Sequence, residues 1–340
     1  MNCPLISIVI VNHNSKSYLT ECFASLKKQT FEDYEVIFID NGSTDGSTEY
    51  IKSNFSDFTR LIRLQNNCGF AEANNIGIRT ARGKYVVLLN NDTKADPFWL
   101  QELIRAAEKD EQIGMCASKI LFMREPTMID STGMGIYPDG TSKQRGWKEL
   151  DRGQYDNHLD ILLPSGCAAL YRREMLDQIG LFDERFFAYC EDTDLGLRAR
   201  LAGWKCRFVP KAIVYHLYAG SWRLYPLRKI FLIERNRTLL VWKMFPFWTI
   251  MKSYYYYLIR CVYHICGIIY HRGEVSEYLT NIPLWSLILT VIRAQVEAII
   301  LLPSYLLGRI KTNRSLVKKT NIYSLLKKYA ISAQEITLKG

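Results

Sequence analysis

Two groups of oxygen-bearing side chains follow segments that could hold them still. The apolar run Tyr85-Val86-Val87-Leu88-Leu89 stops at Asn90-Asn91-Asp92, and about a hundred residues later comes Glu191-Asp192-Thr193-Asp194. Asp92, exposed at a strand end, is a hard oxygen ligand of the kind that Mg²⁺ or Mn²⁺ prefers. Asp192, at the mouth of a helix, is a carboxylate able to take the proton of an attacking hydroxyl. A buried strand ending in metal-compatible groups, with a separate carboxylate cluster, suits transfer of a group carried on a nucleoside diphosphate.

Such a site needs a rigid frame. Leu5-Ile6-Ser7-Ile8-Val9-Ile10-Val11 is β-branched and almost wholly apolar, as a strand buried on both faces of a parallel sheet must be. Asn12-His13-Asn14-Ser15 breaks it, and a helix is expected from about residue 17 to 28. Tyr34-Glu35-Val36-Ile37-Phe38-Ile39 predicts a second strand, and Asp40-Asn41-Gly42-Ser43-Thr44-Asp45-Gly46-Ser47 a tight polar loop. Another helix, a short strand at Leu61-Ile62-Arg63-Leu64, a helix over 70–81 and the Tyr85 strand continue the alternation. Right-handed βαβ units follow, with a ligand crevice at the carboxyl ends of the strands.

Further helices are expected over 97–109, 174–179 and 192–202, with strands at Arg207-Phe208-Val209 and Ala212-Ile213-Val214-Tyr215. Between 114 and 163 long periodicity is missing, so strands and mobile loops are expected there.

The 340 residues carry a net charge of +10, unevenly spread. Residues 1–222 hold 26 basic and 29 acidic side chains, residues 223–340 hold 18 and 5. The division predicts a catalytic domain over 1–222 and a basic, aromatic-rich helical region over 223–340. The excess of +13 lies among aromatics and long aliphatic runs rather than among Gly, Ser and polar residues, which points to an anionic membrane surface and away from nucleic acid. On a helix over 251–271, Lys252, Arg260, His264 and His271 share one arc of about 120°, opposite Met251, Leu258, Cys261, Val262, Ile265 and Ile269. That is the pattern of a helix lying in a bilayer interface. Residues 287–302 are long and apolar, but Arg293, Gln295 and Glu297 interrupt them, so they are expected to be interfacial or packed against the catalytic domain rather than spanning.

Nine cysteines without a C-x-x-C pair suggest neither a disulfide framework nor a zinc knuckle. No basic n-region or cleavage site precedes the first strand, so no signal peptide is expected, and the chain is placed in the cytoplasm, peripheral on the inner membrane face.

Taken together, Ser7 to Asn14, the Asp40–Ser47 loop, the run Asn66-Asn67-Cys68-Gly69-Phe70-Ala71-Glu72-Ala73-Asn74-Asn75-Ile76-Gly77, Leu88 to Thr93 and Glu191-Asp192-Thr193-Asp194-Leu195 resemble the family 2 glycosyltransferases. The likeness covers roughly residues 5–221, and the Asn-Asn-Asp-Thr and Glu-Asp-Thr-Asp variants are most similar to the rhamnosyltransferase-like branch. The resemblance implies a GT-A fold, an α/β architecture with a mostly parallel central sheet flanked by helices. It implies a nucleotide-sugar donor and an inverting mechanism; the donor is expected to be dTDP- or UDP-linked, its diphosphate calls for a divalent cation, and the amphipathic tail motivates a glycan or polyprenyl-linked acceptor.

Carried residue by residue, it places Asn12, Asn14 and Asp40 at the nucleobase, with Asn74, Asn90, Asn91 and Gly166 also on the nucleotide-sugar side. A carboxylate at Asp40 could accept from the N3–H of uracil or thymine, while a turn-holding role is the plain alternative. Asp92 and His216 would hold the metal, and Asn90 departs from the family by replacing a first carboxylate. Asp192 would be the base, with Glu191 and Asp194 orienting the site or binding sugar hydroxyls, and Trp204 would form part of the acceptor wall. A non-catalytic nucleotide-sugar or membrane-binding partner is the competing expectation, motivated by Asn90. A dinucleotide oxidoreductase is disfavoured because no G-x-G-x-x-G follows the first strand. The oligomeric state, a homo-oligomer included, stays open.

Overall fold

The computed structural model describes residues 3–217, 226–315 and 320–338, with residues 308–315 as backbone only. In chain order the elements are β1 (Ile6–Asn12), α1 (Lys16–Leu26), β2 (Tyr34–Asn41), α2 (Ser47–Asn54), β3 (Thr59–Leu64), α3 (Gly69–Thr80), β4 (Tyr85–Leu89), β5 (Thr93–Ala95), α4 (Trp99–Ala107), β6 (Ile113–Phe122) and β7 (Ile129–Ser131). A hairpin of β8 (Met134–Ile136) and β9 (Ser142–Gln144) follows, then β10 (Ala168–Arg172), α5 (Arg173–Ile179), α6 (Glu191–Leu201) and β11 (Lys205–His216). The remainder is helical: α7 (Pro226–Met244), α8 (Phe247–Ile269), α9 (Glu274–Leu279), α10 (Leu284–Ser315), α11 (Ile322–Lys328) and α12 (Ala333–Thr337).

The chain divides into two compact units. The first takes residues 1–134, 144–199 and 204–221, and the second takes 135–143, 200–203 and 222–340.

A sheet of order β3-β2-β1-β4-β10-β6-β11-β5 forms the centre of the first unit. Strands β3, β2, β1 and β4 run parallel, β10 is antiparallel to both β4 and β6, and β11 is parallel to β6. The sheet is therefore mixed. Ile6, Ile8, Val9, Ile10, Val87 and Leu88 are essentially fully buried, as their unbroken apolar runs require.

One element gives bounds to an expectation and another departs from it, each with a local cause. The stretch beginning at Ile113 is a ten-residue strand inside the sheet, although Gly114, Ser118 and Lys119 break its apolar pattern. Lys119 is tolerated there because its ammonium meets Asp151 at 2.9 Å and Asp156 at 2.8 Å. Residues 207–215 form one strand rather than two, since Pro210 and Lys211 sit in a register shift between Val209 and Ile213.

In the second unit part of the basic arc expected of α8 points inward. The Arg260 guanidinium lies 2.6 Å from Asp139 and 2.8 Å from Glu234, and Arg237 closes on Glu234 at 3.3 Å. Burial opposes ionisation of Glu234, but Arg260 and Arg237 outweigh it and hold its pKa down to about 2. His264 beside Arg260 is pushed down to about 4 by burial and by that neighbouring charge. Only Lys252 and His271 of the expected basic arc are exposed, because a buried carboxylate pair recruits the arginine first.

Candidate active site

Because β1, β2 and β4 are parallel, their carboxyl ends share one sheet edge, which carries Asn12, Asp40 and the Asn90-Asn91-Asp92 turn. Strand β10 runs the other way, so Gly166 and Cys167, just before its start, reach the same edge; the Asn90 N–H donates to the Cys167 carbonyl at 2.8 Å. β11 ends there too, and β5 pairs antiparallel with it, setting Thr93 opposite His216. The Leu217 N–H donates to the Asp92 carbonyl at 2.9 Å.

His216 Nε2 consequently faces Asp92 Oδ1 at 3.3 Å, while its Nδ1 meets Asp130 Oδ2 at 2.5 Å. All three side chains are nearly buried. Burial disfavours a charged imidazole, yet the negative groups around His216, from Cys167 to Asp130 and Asp92, raise its pKa well above the usual range. The Cys167 thiol is itself pushed toward its neutral form by burial, so the carboxylates are the effective charges. For Asp92, burial works against ionisation and His216 more than offsets it, leaving the carboxyl below its ordinary value.

Asp192 lies in the first turn of α6, its Oδ1 accepting the Thr193 N–H at 2.7 Å and its Oδ2 the Gly166 N–H at 3.4 Å. Gly166 and Cys167 thus link the two halves of the site, one touching Asp192 and the next lying against His216. Burial raises the Asp192 pKa in spite of those N–H donors. Glu191 is driven well above the usual carboxylate range by burial and then by the charge of Asp192, and its Oε2 has no hydrogen-bond partner among the described residues. The pair therefore ionises at Asp192 first, where N–H groups and part-exposure support charge. Asp194 faces inward: its Oδ2 accepts from Arg198 Nε at 2.9 Å, and Arg198 donates onward to the Ile179 and Leu181 carbonyls, so it fixes the helix rather than meeting a ligand.

On the other side Asn91 Nδ2 donates to Asn12 Oδ1 at 2.6 Å and Asn12 Nδ2 to Ser43 Oγ at 3.1 Å. Asn14, left-handed at φ 50°, accepts the Thr44 N–H at 2.8 Å. These asparagines tie the β1, β2 and β4 turns into one polar floor. Asp40 departs from expectation. Its side chain has no exposed surface, and its oxygens accept the Ser43 N–H and the Thr48 hydroxyl, so the carboxylate holds the loop and does not face a base. Asn74 is likewise buried on α3, donating to the Phe70 carbonyl at 2.8 Å.

Trp204 is not brought to the site. It precedes β11, at the opposite end of that strand from His216, and its Nε1 donates to Gln178 Oε1 at 2.6 Å. Tyr218 to Ser221, which continue the His216 segment in sequence, lie outside the described residues.

Gly42 is held at φ +74°, and a Cβ there would come within 2.7 Å of the Asn66 backbone. Gly42→Ala is expected to cost more than the ~1–2 kcal/mol of a left-handed L-residue, because the close approach adds to it. Urea denaturation should show the loss as an earlier midpoint.

Two features escaped the sequence reading. Asp130 sits in an aperiodic segment, and its only signal was a carboxylate between Ile129 and Ser131, in a run that the structure buries. Phe187, Tyr189 and Cys190 all have positive φ just before α6. Non-glycine residues there cost about 1–3 kcal/mol each, and side-chain types do not announce it. The Ala71 N–H donates to the Phe187 carbonyl at 3.1 Å, which ties that turn to α3.

Residues 7–180 match the family described as Glycosyl transferase family 2, just over half of the chain. The chain belongs to glycosyl transferase family 2. A relative from Haemophilus influenzae, an uncharacterized glycosyltransferase, is 40% identical over 195 residues, covering 56% of this chain and 73% of that one. The N-acetylglucosaminyl-diphospho-decaprenol L-rhamnosyltransferase of Mycobacterium tuberculosis is 28% identical over 64% of this chain and 77% of its own length. Against a second H. influenzae glycosyltransferase, 31% identical, the chain spans 42% of the relative's length. Among solved structures, a mannosyltransferase from Pyrobaculum calidifontis in complex with GDP-Man and Mn²⁺ superposes with a TM-score of 0.52 at 13% identity, over 92% of this chain and 88% of that chain. The likeness carries the GT-A fold expected of the family.

Proposed function

We propose that this family 2 chain transfers a hexosyl or deoxyhexosyl group, rhamnosyl foremost, from a nucleoside diphosphate sugar to a hydroxyl of a glycan or lipid-linked glycan, with inversion, in cell-surface polysaccharide synthesis. The observation that carries it is the meeting of Asp92, His216 and, through Gly166 and Cys167, Asp192 at one sheet edge. The rhamnosyltransferase among the relatives favours the sugar and the lipid-linked acceptor.

Asp192 removes the acceptor proton as that oxygen bonds to the anomeric carbon. The bond to the diphosphate breaks from the opposite face, and its electron pair leaves with the nucleoside diphosphate. Glu191, pushed toward its neutral form by burial and by the Asp192 charge, would offer a hydroxyl donor beside that base instead of a second repelling charge. Asn12, Asn14, Asn90 and Asn91 line the nucleotide side of the cleft.

A divalent cation fits the donor set in part. Asp92 Oδ1 and His216 Nε2 are spaced as neighbouring ligands of one small cation are, about 3 Å apart for Mg²⁺ or Mn²⁺. The Asp130 carboxylate on Nδ1 would fix the ring so that Nε2, which faces Asp92, could coordinate once the cation displaces its proton. No group of three or more His, Cys, Asp and Glu suited to a metal occurs among the described residues, so donor diphosphate oxygens would complete the shell. Bound there, the cation would neutralise charge on the leaving diphosphate.

Asp130→Asn should lower Mn²⁺ affinity in the presence of nucleoside diphosphate by about 10–100-fold. Calorimetric titration reads it directly, and unchanged affinity would separate Asp130 from the metal. Because the Asp192 pKa is raised, the base is lost on acidification at a higher pH than an ordinary carboxylate would allow. The acid limb of kcat/KM should therefore lie above the usual Asp range; a limb at or below that range would contradict the role given to Asp192.

The second unit is proposed to hold the enzyme at an anionic membrane face on the cytoplasmic side. The exposed apolar residues of α8 and α10, together with the +13 charge of 223–340, support this reading. Incubation with UDP-, dTDP- and GDP-sugars, a polyprenyl-diphosphate-linked acceptor and Mn²⁺ tests the activity. One nucleotide should be released in step with acceptor glycosylation, and binding of donor without any transfer would leave a non-catalytic partner.

A further inference from the structure

We infer that α8 and α10 lie flat in the interface of an anionic bilayer and that α10 does not cross it, an inference that rests on the membrane reading above. By length and composition alone α10 could span: Leu284–Leu307 has 24 residues and a mean hydropathy of 1.7. Its surroundings argue otherwise. At 100° per residue the exposed Ile288, Ile292, Val296 and Ile299 fall on one side, within an apolar arc of about 160° that has exposed Arg293 at its rim. Ala294, Ala298 and Tyr305 are buried on the other side.

The middle of the apolar stretch, where hydrocarbon would be deepest, carries that unit's polar bonds. Gln295 accepts from the Thr238 hydroxyl at 2.9 Å, and Glu297 meets Arg235 at 2.6 Å. Both partners belong to α7, which also carries the buried Glu234 and Arg237. A crossing helix would draw Arg293, the ion pair and the charges of α7 toward the bilayer centre, where each is costly. Lying flat, the same helix gives lipid only its apolar arc and leaves α7 on the protein side.

Helix α8 repeats the design. Met251, Leu258, Val262, Ile265 and Ile269 are exposed along one face, Arg260 and Gly267 are buried on the opposite one, and exposed Lys252 stands at the rim. Trp248 and Trp285, 77% and 67% exposed, supply rings of the kind that settle at headgroup depth. The net charge of residues 223–340 matches an anionic leaflet rather than an apolar protein partner.

Full-length protein carrying different epitopes at its two ends would be added to sealed phosphatidylglycerol-containing vesicles, floated, and treated with external protease. The inference expects co-flotation and loss of both epitopes, since with one helix among the described residues able to span, a crossing would shelter the C-terminal one. Protection of that epitope alone overturns the flat placement while keeping the membrane reading. Failure to float overturns both. Leu258→Glu combined with Ile292→Glu should reduce the floated fraction at least tenfold with an unchanged melting temperature in the absence of lipid. Undiminished flotation of a normally melting double variant would show that these faces do not enter the bilayer.

Discussion

Asp192→Asn is expected to lower kcat for sugar transfer by about 10²–10⁴-fold, the range a positioned general base contributes, with donor binding preserved. Asparagine keeps the side-chain shape and an oxygen to accept the Thr193 N–H now at 2.7 Å, so the start of α6 should stay in place. What it removes is the only carboxylate of the α6 cluster that combines part-exposure with two backbone N–H donors. Glu191 is no substitute, since burial, the larger cause of its raised pKa, still pushes it toward its neutral form once the Asp192 charge is gone, and Asp194 is committed to Arg198. Calorimetry with the donor nucleotide and a product assay separate the two functions. Equal loss of binding and turnover would make Asp192 a structural residue, and unaltered turnover would remove it from the chemistry.

Asp92→Asn should be comparably severe. In this chain the turn after β4 reads Asn90-Asn91-Asp92, so the substitution leaves no charged ligand there. Loss of a metal-held charge interaction costs several kcal/mol of transition-state stabilisation, or at least about 100-fold in kcat/KM. His216 would keep its bond to Asp130 and hold its place, so the fold should survive. The check is a Mn²⁺ titration of activity: the variant should need far more metal or fail to reach the wild-type plateau. A superimposable metal dependence would mean that Asp92 is not a ligand.

How much of this was legible depended on whether a property is local in sequence. The strand before Asn90, the helix opened by Glu191 and the loop after β2 are written in continuous apolar runs and turn residues, and the structure places them within a residue or two of expectation. Strands were expected after residue 114, but the bounds of β6 were not legible because Lys119 is neutralised by Asp151 and Asp156, some thirty residues on. Asp130 was invisible for the same reason, since its meaning lies in His216, 86 positions away. Asp40 and Trp204 show the converse. Residue type invited a ligand role, but burial and strand polarity decided otherwise. On α8 the periodicity was right, but part of its basic arc packs into the protein, because the carboxylates of Asp139 and Glu234 pull Arg260 inward.

The central claim, that positions 92 and 216 hold one cation against the donor diphosphate beside Asp192, is tested most directly by pulsed electron paramagnetic resonance of Mn²⁺ added with the nucleoside diphosphate. The account predicts a nitrogen modulation from one imidazole in the wild-type complex that disappears in His216→Gln and survives in Asp192→Asn. A wild-type spectrum without nitrogen coupling, or one that His216→Gln leaves unchanged, would contradict it.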